Sequence, residues 1–303
     1  MSAPAIALEG LTKYYGPVVG LERLSLTVEP GEVFGFLGAN GAGKTTAIRL
    51  MMDLLRPTSG SAAVLGFDCH REALEARRRI GYLPGETPLY PELTGAAYLK
   101  FLGSIGPRPP APARLDALFR RFDVSDLDLQ RRMRDYSHGM KRKLGIIQAL
   151  MSEPQVLILD EPTSGLDPLM IDAFAEEIAG LAAAGRTTVF LSSHVLSEVE
   201  RICGRIALIR RGSLVTVRTL DELRGTHPRR VTILFSQPVT TAIPTVPGVT
   251  TVSRRDREWV LDVPGPLGPL ITALGGLPVD DIRYSTPTLE DIVLGLFAEG
   301  QPC

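Results

Sequence analysis

The sequence predicts an α/β fold with a helical segment inside it and a smaller second domain after it, on three observations. Short apolar runs alternate with amphipathic stretches from residue 6 to about residue 218, as strands covered by helices do. Residues 156–159 are apolar throughout, the mark of a strand buried on both faces of a parallel sheet. After Leu223 the texture changes, and Gly225, Pro228, Pro238, Pro244, Pro247, Pro264, Pro266 and Pro269 punctuate short strands.

Taken in order, strands are expected at residues 6–8, 24–28, 32–37, 61–64, 80–83, 156–159, 187–191, 206–210 and 213–217. A helix follows Gly43, because Ile48, Met51, Met52 and Leu55 recur at helical spacing and give one buried stripe. Pro57 and Gly60 stop it. Residues from about 85 to 154 read as mostly helical, interrupted across residues 107–112 by prolines. The tail holds strands at 231–235, 249–253 and 259–263 and a closing amphipathic helix at 289–297. The domain boundary is expected between residues 222 and 223, giving a domain 1–222 and a small α+β domain 223–303.

Composition excludes several classes. The chain has 303 residues, 44% hydrophobic and 22% charged, enough for a sizeable core. Lys and Arg number 33 against 34 Asp and Glu, so the net charge of -1 gives no basic excess of the kind nucleic acid asks for. The 30 glycines and 24 prolines are spread along the chain, which excludes a collagen-like or low-complexity class. No apolar run approaches the ~18 residues of a membrane helix. The amino terminus carries no cationic stretch followed by an apolar one, so no secretory signal is expected. Cys69, Cys203 and Cys303 are odd in number and far apart, which argues against a disulfide framework and for the cytosol. His70, His138 and His227 have no companions at metal-ligand spacing, so zinc is not expected.

The first motif is Gly38-Ala39-Asn40-Gly41-Ala42-Gly43-Lys44-Thr45, which fits G-x-x-x-x-G-K-[ST] at every fixed position. An apolar strand precedes it and a helix follows. Its glycines let consecutive N–H groups turn toward phosphate oxygens, and the helix amino terminus adds positive potential at the same point. The expected nucleotide contacts are Gly38, Asn40, Gly41, Ala42, Gly43, Lys44, Thr45 and Thr46. Lys44 supplies charge for the terminal phosphates, and the Thr45 hydroxyl suits Mg²⁺. A strand–P-loop–helix unit of this kind resembles a P-loop NTPase core.

The second motif is Asp160-Glu161, two acids at the end of the apolar strand. Ligands of open α/β sheets sit beyond the carboxyl ends of strands. Strand alternation predicts that the two carboxylates point opposite ways and have separate tasks. Asp160 suits the metal and Glu161 the attacking water. The runs 77–79 and 141–143 are read as solvated basic helix faces, with a nucleotide phosphate as the competing use of Lys141, Arg142 and Lys143.

Together these motifs resemble the ATP-binding-cassette (ABC) ATPase family over about residues 6–218. Tyr136-Ser137-His138-Gly139-Met140 resembles the family's signature loop, Ser164-Gly165-Leu166-Asp167 its D-loop, and Leu191-Ser192-Ser193-His194 its switch-histidine loop. Tyr14-Tyr15-Gly16 resembles the aromatic loop that stacks on adenine, with Tyr15 as the stacker. The resemblance implies a cassette with a mixed sheet core, an antiparallel β subdomain and a helical subdomain at about 85–154. It implies ATP and Mg²⁺ as ligands, ATPase activity, and a face-to-face pair of cassettes. In such a pair Ser137 and Gly139 would meet the nucleotide held by the partner's phosphate loop. Asp167 would lie at the seam, and His194 would contact the γ-phosphate.

Two departures from that pattern stand out. Gly85, followed by Glu86, occupies the place of a glutamine that touches metal and water in the family. Glu86 could reach Mg²⁺ but would repel phosphate. In the signature loop Tyr136, His138 and Met140 replace Leu, Gly and Gln, while Ser137 and Gly139 remain. Finally, Leu289-Glu290-Asp291-Ile292-Val293 after a β-rich tail resembles the end of bacterial exporter ATPases of the drug, antibiotic and polysaccharide or lipid type. That implies a separate transmembrane permease, received near residues 85–90, a cytoplasmic place peripheral on the inner face of the cell membrane, and a homodimer. The alternatives are an ATP switch with weak hydrolysis and a non-transport ABC protein. Residues 45–135 hold no sustained heptads of the kind chromosome-structure members carry.

Overall fold

The computed structural model describes residues 3–86, 90–226, 228–240, 246–285, 288–290 and 292–293. The chain divides into two compact units, Met1–Val217 and Arg218–Cys303.

In the first unit an antiparallel sheet is built from β1 (Ile6–Tyr15), β2 (Val18–Val28), β4 (Ser59–Val64) and β5 (Phe67–Asp68), in the order β2-β1-β4-β5. A second sheet contains β3 (Val33–Leu37), β6 (Ile80–Leu83), β7 (Val156–Asp160), β8 (Thr188–Ser193), β9 (Arg205–Arg210) and β10 (Ser213–Thr219), in the order β10-β9-β3-β8-β7-β6. Strands β9, β3, β8, β7 and β6 run parallel. β3, β7 and β8 are buried along their whole length, which is why Val33–Leu37, Val156–Leu159 and Val189–Leu191 read as apolar runs, with Asp160, Ser192 and Ser193 buried at the strand ends. The core joins the two sheets: Leu8, Leu11, Leu21 and Leu24 pack in one cluster with Phe34, Phe36, Ile158, Phe190 and the helix residues Ile48 and Met51.

The helices are α1 (Lys44–Met51), α2 (Ala73–Arg77), α3 (Gly95–Ile105), α4 (Pro112–Arg121), α5 (Asp126–Gln130), α6 (His138–Leu150), α7 (Pro168–Ala183) and α8 (Leu196–Ile202). α1 ends before Leu55 because Asp53 takes a left-handed φ of 53° and turns the chain. Among the described residues, 85–86 and 90–94 are not helical; the helical segment opens at α3, where the Thr94 hydroxyl caps Ala97 N at 3.2 Å. Strands β1 and β2 are much longer than alternation predicts. Register shifts between Leu8 and Leu11 and on to Tyr14, with Gly10 at φ 56°, break the period and hide the strand.

The second unit holds α9 (Leu220–Thr226), β11 (Arg229–Phe235), β12 (Thr250–Arg255), β13 (Glu258–Val263), α10 (Gly268–Leu274) and β14 (Val279–Ser285). Its antiparallel sheet has the order β12-β13-β11-β14. Trp259 is fully buried, its ring edge-on to Phe235 at 4.7 Å, and Leu270 and Leu274 of α10 join the same cluster. α10 and β14 were not expected, since the sequence there offers one short apolar stretch each. In the expected closing helix Leu289, Glu290, Ile292 and Val293 are helical; the rest of 289–297 lies outside the described residues. Among the described residues no helix is long and apolar enough to cross a membrane.

Phe190 sits between Phe34 and Phe36, with ring centroids 5.9 and 5.3 Å away. Phe190→Ala should therefore lower unfolding stability by about 3–5 kcal/mol, read from urea denaturation of wild type and variant.

Candidate active site

Four parallel strands deliver their carboxyl ends to one place. The pairs Leu37↔Ser193, Asp160↔Ser192 and Leu83↔Leu159 set the register, so the loops after β3, β7, β8 and β6 open side by side. They line a cavity of about 470 Å³ with Tyr15, Val18, Val19, Gly20, Asn40, Gly41, Gly43, Lys44, Thr45, Thr46, Gly85, Asp160, Glu161, Ser164 and His194.

Gly43 caps α1 at φ 111°, a conformation closed to most side chains, and a Cβ there would stand 2.6 Å from the Gly20 carbonyl oxygen. The P-loop is thus seated against the β1–β2 hairpin. Gly38 and Ala42 do not line the cavity. The Gly38 carbonyl accepts from Lys44 Nζ at 2.6 Å, and the Ala42 carbonyl accepts from Gly212 N at 2.9 Å.

Lys44 is buried, and its Nζ also lies 3.2 Å from Glu161 Oε1. Thr45 Oγ1 donates to Asp160 Oδ2 at 2.9 Å, and Ser192 Oγ donates to Asp160 Oδ1 at 2.6 Å. The Glu161 carboxylate takes a second partner, His194 Nδ1, at 2.5 Å. Asp160 and Glu161 do not point opposite ways, as alternation predicts. β7 ends at Asp160, and Glu161 adopts a left-handed φ of 52°, which turns its side chain back into the same cavity.

Tyr15 lines the cavity and Tyr14 does not, as expected of neighbours on a strand. The Tyr15 ring lies across Gly20, where an added Cβ would come within 2.7 Å of Tyr15 Cε2. Its hydroxyl is 3.5 Å from Thr46 Oγ1. Ser137, Gly139 and Asp167 do not line the cavity. Ser137 caps α6, accepting from Met140 N at 3.2 Å, and Asp167 caps α7, accepting from Met170 N at 3.0 Å. A Cβ at Gly139 would stand 2.9 Å from the Gly165 carbonyl, so the two loops touch. Gly85 lines the cavity with no side chain to offer; Glu86 is exposed and outside it.

Of the basic run 141–143, Arg142 is not solvated, contrary to expectation. It is buried and donates to backbone carbonyls, not to a phosphate. Sequence reasoning also missed Gly20 and Ser192. The Ser192 hydroxyl is legible only as part of the switch-histidine loop, and nothing local marks Gly20.

The sequence matches the family described as ABC transporter over residues 21–164. It is 37% identical to the daunorubicin resistance ATP-binding protein DrrA3 of Streptomyces coeruleorubidus, across 98% of this chain and 96% of that one. This chain belongs to the ABC transporter family, as an ATP-binding subunit. It is also 36% identical to the bacitracin transport ATP-binding protein BcrA of Bacillus licheniformis, over 72% of this chain and 70% of that one. A solved ATP-binding subunit of an ABC transporter superposes with a TM-score of 0.67 at 30% identity, covering 73% of this chain and 92% of the other. The fold is that of an ABC cassette.

In this cassette Thr45, Asp160 and Ser192 present only oxygen atoms, which suits a hard divalent cation such as Mg²⁺. Among the described residues no cluster of three or more His, Cys, Asp or Glu side chains could hold a metal unaided. A Mg²⁺ ion here would share its coordination with substrate phosphates, as that ion commonly does.

Gly20→Ala should turn the Tyr15 ring out of the cavity. Titration with a fluorescent ATP analogue checks this: affinity is expected to fall by the worth of a stacked aromatic, about 1–3 kcal/mol, and not to fall further in a Tyr15→Ala background.

Proposed function

We propose that this cassette hydrolyses ATP and, as a pair of identical copies, drives a separate transmembrane permease that exports drug, antibiotic or lipid- and polysaccharide-type molecules. The observation that carries the enzymatic half is the placement of Glu161. Its carboxylate enters the cavity beside Lys44 and His194, within reach of where the P-loop would hold a terminal phosphate. The exporter half is supported by the names of the relatives, daunorubicin resistance and bacitracin transport.

These positions support the following course of hydrolysis. Lys44 exchanges its pairing with Glu161 for the γ-phosphate, which leaves the carboxylate free to act as base. Glu161 takes a proton from water as the water oxygen bonds to the γ-phosphorus. The bond from that phosphorus to the β–γ bridging oxygen breaks, and its electron pair leaves with ADP. His194 fixes the carboxylate through Nδ1 and lines the same cavity. Mg²⁺, held by Thr45 and Asp160, would offset charge on the phosphate oxygens.

Ser137, Gly139 and Asp167 stand outside their own chain's cavity, which supports the reading that they serve the nucleotide of a second copy. α6 has its amino terminus at Ser137 and His138, where an anion is favoured. The pair would work at the cytoplasmic face of the cell membrane, against the permease. The unit 218–303 is read as an accessory domain of the same subunit. One observation favours a second reading, a cassette that binds ATP as a switch and hydrolyses it slowly: Gly85 contributes no polar side chain to the cavity.

Glu161→Gln decides between them. Phosphate release by the wild type should exceed that of the variant by about 10²–10⁴-fold, the usual worth of a positioned base. Equal, background-level release from both would end the enzyme reading. In light scattering, the variant with Mg-ATP should double in mass; a persistent nucleotide-bound monomer would end the homodimer.

A further inference from the structure

Arg142 lies on α6, two residues past the signature loop, and its side chain uses every donor it has. Nε donates to the Pro162 carbonyl at 3.0 Å. Nη1 donates to the carbonyls of Pro84 at 2.7 Å and Gly85 at 3.1 Å. Nη2 donates to the carbonyl of Asp160 at 2.6 Å and to that of Glu161. A guanidinium has five N–H donors in a fixed planar fork, and here five carbonyls receive them. These carbonyls belong to two separate segments, the turn after β6 and the exit of β7. The side chain is buried, and its own charge is matched by peptide dipoles rather than by a direct salt bridge.

We propose that Arg142 is a positioning residue for ATP hydrolysis: by tying the 84–85 turn to the 160–162 segment, it holds Glu161 in the left-handed conformation that aims its carboxylate at the terminal phosphate. The proposal rests on the ATPase reading above. Three observations carry it. Glu161 is one of the few non-glycine residues with positive φ, a conformation that costs of order 1–3 kcal/mol and persists only where its surroundings fix it. The Glu161 carbonyl is anchored by Arg142 on one side while its N–H is held by Ser192, through the backbone O and through Oγ, each at 3.2 Å. And Gly85, which has no side chain to reach the cavity, is held at its edge through its carbonyl instead. Burial pulls the guanidinium pKa down to about 10, with Asp160 and Glu161 opposing, so the group is still charged at neutral pH.

Because α6 also begins at Ser137, one rigid helix links the loop expected to meet a second copy's nucleotide with the clamp on this copy's Glu161. Displacement of the helix on pairing would be felt directly at the base.

The test uses the full chain with Arg142→Lys and Arg142→Gln. Lysine keeps the charge but offers three donors from one nitrogen in place of five in a planar fork, so it cannot hold all five carbonyls. A variant that still binds ATP within about threefold of wild type should show kcat for phosphate release lowered by at least about a hundredfold with KM little changed. In a Glu161→Gln background the same substitution should cost almost nothing more, since its effect passes through that carboxylate. Near wild-type kcat in either ATP-binding variant overturns the proposal, as does an equal further loss in the Glu161→Gln background. Loss of ATP binding in both variants overturns it too, because Arg142 would then serve the fold of the pocket. A wild type that releases no phosphate ends the ATPase reading itself, a separate result.

Discussion

The hydrogen-bonded register of β3, β8 and β7 is the constraint on which the cavity depends. Leu37 lies opposite Ser193, and Ser192 lies opposite Asp160, so three loops leave the sheet at nearly one level. A parallel ladder places all its carboxyl ends on one side, and only there can residues distant in the chain converge. Lys44 and Glu161, Thr45 and Asp160, and Glu161 and His194 meet for that reason. Slipping β7 by one residue would turn Asp160 away from Thr45.

Within that frame the polar groups hold one another. Lys44 is buried with two carbonyls and a carboxylate around it, so its charge is compensated inside the protein. Asp160 receives two hydroxyls and Glu161 receives a cation and an imidazole. Two adjacent acids would repel if they shared one partner; here each has its own. The left-handed turn at Glu161 brings both into one space without placing them on one ligand. Arg142, which does not line the cavity, bonds that turn by contact with the backbone alone.

The β1–β2 hairpin belongs to the same system. It carries Tyr15 and Gly20, and the Gly20 carbonyl closes on Gly43 of the P-loop. The aromatic wall and the phosphate loop are thus set against each other by direct backbone approach. The loops at 136–140 and 164–167 form a second contact, in which Gly139 meets Gly165 and both Ser137 and Asp167 cap helices. Tyr136, which replaces the family's leucine, is satisfied locally: its hydroxyl donates to the Asp128 carbonyl at 2.6 Å, inside the helical segment.

The sequence by itself marked the phosphate-loop motif, the acid pair and the parallel core. Each is written in contiguous residues whose period or composition reports its environment, whereas His194 was singled out by the family resemblance. It also marked the helical segment and most strands of the tail, though not α10, β14 or the length of β1, where bulges cancel alternation. What only the tertiary structure decided is the direction of Glu161, the burial of Arg142 and the service of Gly20 to Tyr15. The reason is distance along the chain: Arg142 reaches Pro84 across 58 residues, and Thr45 reaches Asp160 across 115. A basic triplet at the start of a helix looks solvated in any local window. Its middle member is buried because five carbonyls from two other segments are there to receive it, and no pattern within the triplet can report them.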